Sequence, residues 1–303
     1  MSRYKVVVSD QVFPSVEVER ELLAEIGADL VVASGPVADV LEVAADADAI
    51  LNTYLPWDAD AIAHLERCRI IARYGIGFDN VDLTAARRAG IVVTNVPDYS
   101  VEEVAVHALA LMLAAIRKVP WADGRVRAGA WAIDEFRPIR RLSQLTVGLL
   151  GFGRIGRRLA AALETFDAEI IVHDPYLSPA ADLPELVGFE DLLARSDIVS
   201  VHAPLTDSTR GIIGYEAVAA MRPGAILVNT SRGPLVDLDA VTAALRDGRL
   251  SAAALDVFDK EPLDISRIED VPNLVVTPHM AYYSEEALAE SQRKAATQVV
   301  KVL

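Results

Sequence analysis

Three residues near the ends of predicted strands could together act on a small carboxylic acid. Arg232, Glu261 and His279 each follow a short apolar run in the second half of the chain. A guanidinium binds a carboxylate through two parallel hydrogen bonds. An imidazole can deliver a proton to a carbonyl oxygen near neutral pH, and a neighbouring carboxylate holds the ring and favours its protonated form. This set supplies what reduction of a 2-oxo acid needs besides a hydride.

A second histidine competes for the proton-transfer role. His202 also follows a predicted strand, but Pro204 comes soon after it and suggests a loop packed on a cofactor. We therefore favour His279 as the proton donor. The other three histidines lie inside predicted helices or strands and are interpreted as structural: His64, His107 and His173.

A glycine-rich turn follows the apolar run at residues 146–150, with the sequence Gly151-Phe152-Gly153-Arg154-Ile155-Gly156. It opens a predicted helix, which is the context of a dinucleotide-binding turn. The second glycine lets the backbone approach a pyrophosphate, the third lets helix and strand pack closely, and the helix N-terminus attracts negative charge. Asp174 ends the next predicted strand, where its carboxylate could accept hydrogen bonds from ribose hydroxyls and would repel a 2′-phosphate. NAD is therefore favoured over NADP.

Short apolar runs alternate with helical stretches along the chain, which is typical of parallel sheets flanked by helices. Between two such series, residues 100–118 predict a helix that is apolar on nearly every face, expected between domains or at a subunit interface. Residues 119–145 show no clear period and predict an irregular arm. A final helix is predicted over residues 284–302. The predicted strands are 6–8, 30–32, 49–51, 70–72 and 91–93 in the first series, and 146–150, 169–173, 198–201, 225–229, 251–255 and 274–277 in the second.

Composition limits the partners. The chain of 303 residues has a net charge of -15, which repels phosphate backbones and anionic lipid, so neither nucleic acid nor a membrane is an expected partner. Its longest apolar run, residues 104–116, is too short to span a bilayer. Cys68 is the only cysteine, so no intrachain disulfide or cysteine-based metal site can form. No metal is predicted, and a cytoplasmic location is expected.

Several motifs follow one another in a fixed order between about Arg73 and Ser284. Besides the glycine turn, they are RYGIGFDNVD at 73–82, VHAPL at 201–205, VNTSRG at 228–233, ALDVF at 254–258, EP at 261–262 and TPH at 277–279. With these motifs the chain resembles the D-isomer-specific 2-hydroxyacid dehydrogenases, a family that includes phosphoglycerate dehydrogenase and hydroxypyruvate reductase.

The resemblance implies two doubly wound parallel-sheet domains, the larger a Rossmann domain that binds NAD and the smaller flavodoxin-like and discontinuous. We expect a substrate domain at 1–99 and 282–303. The NAD-binding domain is expected at 100–281, with a dimerisation helix and arm at about 100–145 that build a homodimer.

The resemblance also assigns roles to residues of this sequence. The catalytic trio falls on Arg232, Glu261 and His279. The resemblance places Asp256 on the nicotinamide side and residues 203–209 at the adenosine end. The full set of expected cofactor contacts is Gly151, Gly153, Arg154, Ile155, Gly156, Asp174, Ala203, Pro204, Thr209, Thr230, Ser231 and Asp256, and the expected substrate contacts are Tyr54, Ile76, Gly77 and Tyr282.

Two functions remain open at this point. The first is an NAD-dependent enzyme acting on a 2-oxo or 2-hydroxy acid; a formate dehydrogenase is disfavoured because releasing carbon dioxide needs no base paired with a carboxylate such as Glu261. The alternative is an NAD(H)-sensing interaction module, because residues 278–285 look most like the branch with the C-terminal-binding-protein corepressors, although Tyr282 stands where that branch commonly has tryptophan.

The loops expected to meet substrate side chains, 52–56 and 74–78, have Arg73 as their nearest cation, which disfavours a phosphorylated substrate. Glyoxylate, hydroxypyruvate and larger apolar oxo acids all remain candidate substrates.

Overall fold

The computed structural model describes residues 3–303, and the chain divides into two compact units. Among the described residues, unit 1 comprises residues 3–100 and Tyr283–Leu303, and unit 2 comprises Val101–Tyr282. These limits differ by one residue from the domain limits predicted from the sequence. Each unit is a parallel sheet with helices, so the predicted fold class is confirmed.

Unit 1 is built on a five-stranded sheet in the order β2-β1-β3-β4-β5, which is the order of flavodoxin-like sheets. Parallel strands buried on both faces read as continuous apolar runs, and all residues of β3 and β4 are buried. The strands are β1 Tyr4–Val8, β2 Ala28–Val32, β3 Ala49–Asn52, β4 Ile70–Arg73 and β5 Val92–Thr94, and the helices are α1 Glu17–Ala24, α2 Val37–Ala44, α3 Ala59–Ala63, α4 Leu83–Arg88 and the C-terminal α11 Glu285–Val302.

The C-terminal helix α11 belongs to unit 1 because it packs against α1 and β4. Ser284 caps it by accepting a hydrogen bond from the Ala287 amide at 2.9 Å. In α1, Glu19 is fully buried, and its carboxylate accepts hydrogen bonds from Gln292 Nε2 at 2.9 and 3.0 Å and from the Tyr74 hydroxyl at 2.7 Å. These bonds satisfy the buried carboxyl group and link α1 to the C-terminal helix α11 in one unit.

Unit 2 has a seven-stranded sheet in the order β12-β11-β10-β9-β6-β7-β8. Read from β6, this is the Rossmann order with one strand added at the edge. The two-residue strand β8, which pairs with β7, was not predicted because so short a segment carries no period. The strands are β6 Thr146–Leu150, β7 Glu169–His173, β8 Glu185–Leu186, β9 Ile198–Val201, β10 Ala225–Asn229, β11 Leu250–Leu255 and β12 Leu274–Val276.

Six helices belong to unit 2: α5 Val101–Arg117, α6 Val119–Arg127, α7 Arg154–Glu164, α8 Phe189–Arg195, α9 Tyr215–Ala220 and α10 Leu238–Arg246. The apolar helix α5 buries Ala108, Leu111 and Met112 in one cluster with strand residues of β6. No single helix among the described residues is long and apolar enough to cross a membrane, and only α5 with α6, bent by 57°, reaches that length and composition.

The arm predicted as irregular contains the helix α6, so that prediction was wrong in part. Lys118 has a left-handed backbone, φ 56°, that separates α6 from α5, and a proline stands in the first turn of α6, where its missing N–H costs nothing. No residue of α6 is buried, and helical periodicity reflects burial, so the sequence carried no sign of it. Beyond α6 the arm is irregular, with Trp131 90% and Ile133 73% exposed.

Candidate active site

The strands β10, β11 and β12 end in register at one edge of the unit 2 sheet. Asn229 pairs with Leu255, and Leu255 pairs with Val276. The residues that follow, Thr230, Asp256 and Thr277, therefore leave the sheet at the same edge. This is the edge where the sequence predicted the reacting groups.

His279 and Glu261 form a direct pair. His279 Nδ1 lies 2.7 Å from Glu261 Oε2, and the other carboxylate oxygen accepts the Phe258 amide at 2.8 Å. Burial raises the pKa of Glu261, but the hydrogen bonds from His279 and Phe258 outweigh it and hold the pKa below its ordinary value. An ionised Glu261 accepts a hydrogen bond from Nδ1–H of His279, so Nε2 is the ring nitrogen that could exchange a proton with a substrate.

Asp256 shapes the turn that carries His279. Its fully buried carboxylate accepts hydrogen bonds from the Met280 amide at 2.9 Å and the Ala281 amide at 3.0 Å, and its carbonyl oxygen accepts the His279 amide at 2.8 Å. His279 itself has a left-handed backbone with φ 52°, an uncommon conformation that persists only when neighbours hold it. The turn is thus fixed by Asp256 on both sides of the imidazole.

The carboxylate of Asp256 stays ionised. Burial raises its pKa, but hydrogen bonds from His107, Thr277 and the two backbone amides outweigh that effect and leave the pKa below its ordinary value. The acid therefore remains an acceptor for the turn at neutral pH.

Arg232 lies in the loop after β10, beside the segment that leads to Glu261. Asn229 holds this loop, because its side chain donates to the Arg232 carbonyl at 2.9 Å and accepts the Ser231 amide at 3.0 Å. A Cβ on Gly233 would lie 1.9 Å from the Phe258 carbonyl carbon, so the two backbones touch and only glycine fits. The loop of Arg232 therefore packs against Phe258, whose amide holds Glu261.

His202 is unsuited to deliver a proton near pH 7. Burial lowers its pKa to about 4, and its Nε2 lies 2.9 Å from the Ser200 hydroxyl. The imidazole is therefore neutral at physiological pH. This favours His279 over His202, as the sequence analysis did.

The glycine turn after β6 has the geometry of a dinucleotide cradle. Gly151 has φ +96°, and a Cβ there would lie 2.7 Å from the His202 carbonyl carbon; a Cβ on Gly156 would lie 2.7 Å from the Gly151 carbonyl oxygen. A Cβ on Gly153 would meet no atom of the described chain within 4 Å. The first and third glycines thus allow close packing, and the second leaves open space before the N-terminus of α7, as the fingerprint requires.

Asp174 is held against this turn. Its carboxylate accepts the Phe152 amide at 2.9 Å and the Tyr176 amide at 3.0 Å, which leaves other lone pairs for ribose hydroxyls. Arg154 is exposed and Ile155 is half-buried in the first turn of α7.

The loop after β9 has an internal hydrogen bond, and it is also hydrogen-bonded to the loop after β10. The Thr209 hydroxyl donates to the Pro204 carbonyl at 2.7 Å, and the Ser231 hydroxyl donates to the Ala203 carbonyl at 2.7 Å. Thr230 Oγ1 is buried and has no hydrogen-bond partner among the described residues. A buried hydroxyl without a partner is costly, so a ligand that supplies one is expected here, and the residues of this edge fit a bound dinucleotide.

The predicted substrate contacts fall in both units. In unit 2, the Tyr282 ring meets the His279 ring edge-on, with centroids 6.2 Å apart. In unit 1, Tyr54 is 49% exposed, the Ile76 carbonyl accepts from the Asn95 side chain at 2.7 Å, and the Gly77 carbonyl accepts from Arg73 Nε at 2.7 Å.

Sequence reasoning missed the roles of two residues, Asp10 just after β1 and His107 in α5. Asp10 accepts the amides of Thr53, Tyr54 and Leu55 and so shapes the predicted substrate loop 52–56. His107, interpreted as structural, lies 3.5 Å from Asp256 Oδ1. Neither has a local motif, but an acid two residues after β1 could have been found by inspecting every strand end.

Comparison with known proteins supports the dehydrogenase hypothesis. Residues 109–281 match the model of the D-isomer-specific 2-hydroxyacid dehydrogenase NAD-binding domain. D-3-phosphoglycerate dehydrogenase of Mycobacterium leprae is 42% identical over 266 residues, covering 86% of this chain and 49% of that protein. The chain spans about half the length of the curated relatives it matches.

Solved structures of similar proteins cover nearly the whole chain. A glyoxylate reductase from Paecilomyes thermophila has a TM-score of 0.90 and 29% identity, covering 99% of this chain and 95% of that one. A D-lactate dehydrogenase from Aquifex aeolicus, complexed with NAD and lactic acid, has a TM-score of 0.87 and 29% identity, covering 98% and 94%. These relatives carry enzyme names and give no support to the corepressor alternative. The chain belongs to the D-isomer-specific 2-hydroxyacid dehydrogenase family, and residues 109–281 are its NAD-binding domain.

Proposed function

We propose that this protein is an NAD-dependent dehydrogenase that interconverts a small 2-oxo acid and the D-isomer of the 2-hydroxy acid. The observation that carries the proposal is the His279–Glu261 pair at 2.7 Å, on the sheet edge that also holds the loop of Arg232. The glycine turn and the buried hydroxyl of Thr230, which has no partner among the described residues, follow strands of the same sheet. The family match and the enzyme names of the relatives support the same activity.

Each group of the trio has one task in reduction. The Arg232 guanidinium binds the substrate carboxylate and orients the neighbouring carbonyl. A bound NADH would provide the hydride for the carbonyl carbon. His279 gives the proton on Nε2 to the carbonyl oxygen. Glu261 keeps the proton on Nδ1, so the ring that remains is the neutral Nδ1–H tautomer. Oxidation of the hydroxy acid is the reverse, with neutral His279 accepting the hydroxyl proton at Nε2.

The test is NADH oxidation over about a dozen oxo acids with the wild-type chain and two variants. His279→Gln should lower turnover at least 10²-fold, because it removes the proton donor, while NADH binding measured by fluorescence stays unchanged. His64→Gln is the matched control, since His64 is exposed in unit 1, and it should behave as wild type. Undiminished turnover in His279→Gln, or no turnover with any oxo acid in the wild type, would refute the proposal.

The direction of the pH dependence also follows from this role. The imidazole must carry the proton that it delivers, so oxo-acid reduction should slow as pH rises, and hydroxy-acid oxidation should speed up. Initial rates in both directions from pH 5 to 10 check this, and rates that do not respond to pH would contradict it.

The preference for NAD rests on Asp174. A carboxylate beside the ribose repels a 2′-phosphate, so Asp174→Ser should lower the ratio of kcat/KM with NADH to that with NADPH at least tenfold. Serine can still accept one of the two backbone amides that Asp174 holds. An unchanged ratio in a stably folded variant would remove Asp174 from this role.

Within the substrate class, we propose an acid without a phosphate. Loops 52–56 and 74–78 contain no lysine or arginine, and Arg73 is buried with its Nε bound to the Gly77 carbonyl. The phosphoglycerate dehydrogenase relatives argue for the opposite. Comparing kcat/KM for hydroxypyruvate and 3-phosphohydroxypyruvate decides the point, because a higher value for the phosphorylated acid overturns this proposal.

We also propose a homodimer formed by α6 and the arm. Their exposed apolar side chains would be covered in a dimer: Val119, Val126, Trp131 and Ile133. Light scattering should show that Trp131→Glu weakens the dimer, whereas Tyr176→Glu, at a tyrosine that is 88% exposed, should not. A monomeric wild type would end this proposal.

The proposed location is the cytoplasm. Cys68 is the single cysteine, so the chain can form no intrachain disulfide, which fits a reducing compartment. Cell fractionation with an antibody against the chain tests this, and recovery from another compartment would contradict it.

A further inference from the structure

A histidine of α5 reaches the turn that carries the proposed proton donor. His107 Nε2 lies 3.0 Å from the Thr277 hydroxyl oxygen and 3.5 Å from Asp256 Oδ1. The Thr277 hydroxyl oxygen lies 2.5 Å from the same carboxylate oxygen. His107 and Thr277 are 170 residues apart, so only the folded chain brings them together.

The direction of these hydrogen bonds follows from counting protons. Asp256 is ionised and can only accept, so at 2.5 Å the single hydroxyl proton of Thr277 must point to it. The hydroxyl oxygen is then an acceptor toward His107, and Nε2 must carry a hydrogen. The result is a chain of hydrogen bonds in which His107 donates to Thr277 and Thr277 donates to Asp256.

Asp256, the last acceptor in this series of hydrogen bonds, holds the turn that carries His279. Asp256 accepts the Met280 and Ala281 amides directly after His279, and the left-handed backbone of His279 depends on such contacts. We propose that His107 is a positioning residue, which orients Thr277 and Asp256 and so keeps the turn of His279 in its productive geometry. The proposal rests on the proposed function for its kinetic consequence only, because the order of the turn can be measured without substrate or cofactor.

The competing explanation is that His107 only fills space in α5, where its side chain is 19% exposed. The two explanations differ in what a substitution should preserve. A glutamine in place of His107 would offer an amide nitrogen near the position of Nε2, whereas a leucine fills a similar volume without a donor. A packing role predicts that leucine does at least as well as glutamine, and a positioning role predicts that only glutamine succeeds.

The experiment compares His107→Leu, His107→Gln, Thr277→Val and the control His64→Leu by amide hydrogen exchange without ligands. His107→Leu and Thr277→Val each remove one hydrogen bond from the network of His107, Thr277 and Asp256. We therefore expect the Met280 and Ala281 amides to exchange about tenfold faster in both variants. Exchange in α9, which packs in a core cluster without residues of α5, should stay unchanged and so exclude general loosening of unit 2. His107→Gln and His64→Leu should match the wild type.

Kinetics give the second readout. With the best oxo acid, His107→Leu should lower kcat about tenfold while KM changes less than threefold, because Arg232 still holds the substrate carboxylate. Wild-type exchange at Met280 and Ala281 in His107→Leu, or equal effects of leucine and glutamine, would overturn the proposal. If His107→Leu does not fold, Thr277→Val decides by the same exchange criterion. If the wild type turned over no oxo acid, the proposed function would be refuted, but the hydrogen-exchange result would still decide the role of His107.

Discussion

Each unit places an aspartate just after one of its strands, and in both cases the acid holds a loop. In unit 1, Asp10 accepts backbone amides of loop 52–56, with the Thr53 and Leu55 nitrogens each at 3.0 Å. In unit 2, Asp256 accepts the amides of Met280 and Ala281 at 2.9 and 3.0 Å. A carboxylate that accepts several N–H groups is a strong, directional anchor for a loop.

The two regions differ in what surrounds the anchor. The side chains that reach Asp10 are uncharged donors, the Ser9 hydroxyl at 2.7 Å and the Asn52 amide at 3.2 Å. Near Asp256 the held turn carries an imidazole paired with Glu261, and His107 lies behind the acid. The same device therefore shapes a surface in unit 1 and positions ionisable groups in unit 2. Substitutions at the unit 2 edge should affect the reaction most.

The largest effect is expected for Arg232→Ala in unit 2. Loss of two charge-assisted hydrogen bonds to the substrate carboxylate should lower kcat/KM for the oxo acid about 10³-fold. Steady-state kinetics measure it, with Arg222→Ala as control, because Arg222 pairs with Asp197 at 3.2 Å on the surface. A loss of less than tenfold would mean that the unit 2 edge does not bind the carboxylate through Arg232.

Next comes Glu261→Gln, which keeps the shape of the side chain and removes its charge. We expect kcat for reduction to fall about 10²-fold, because the amide no longer holds the protonated imidazole. A kcat within twofold of wild type would contradict the assigned role.

Glu261 also predicts a pH dependence of stability. Its pKa is lowered in the folded protein, so its contribution to the free energy of unfolding is complete above the ordinary glutamate pKa and is lost as pH falls through the lowered value. Glu261→Gln should remove this part of the acid dependence. Urea unfolding from pH 3 to 7 measures it, and identical slopes in variant and wild type would be the contrary result.

In unit 1, Asp10→Asn should affect substrate binding more than turnover. Asparagine cannot accept all the amides of loop 52–56, so we expect the free energy of unfolding to fall by about 2 kcal/mol. Because the resemblance implies that Tyr54 in this loop contacts substrate, KM should rise about tenfold with kcat within threefold. Asp60→Asn on the surface of α3 is the control. If Asp10→Asn lowered kcat more than Glu261→Gln does, the assignment of substrate binding to unit 1 and of turnover to unit 2 would be wrong.

The smallest effect is expected for Thr230→Val at the unit 2 edge. Valine removes a buried hydroxyl that has no partner in the described chain, so the unliganded protein should be unchanged or about 1 kcal/mol more stable. NADH should bind about fivefold more weakly if the cofactor supplies the missing partner. Thermal unfolding and fluorescence titration measure the two quantities, and unchanged NADH affinity would argue against this contact.

The sequence by itself determined the fold class and most strands of unit 2. Parallel strands buried on both faces appear as uninterrupted apolar runs, and β6, β7, β9 and β10 begin and end where the runs do. The final helix was also found, because Ser284 and the acidic first turn of α11 mark its start. Helix α6 was not, since none of its residues is buried and its sequence carries no period.

The sequence also determined which residue types stand at the strand ends, and that was enough to name Arg232, Glu261 and His279. Only the tertiary structure decided how they are held. Three hydrogen bonds join segments that are remote in the chain: His279 to Glu261, the Thr53 amide to Asp10 43 residues away, and His107 to Thr277. Local patterns record burial and backbone preference, whereas contacts between distant side chains arise only when the sheets and helices are packed.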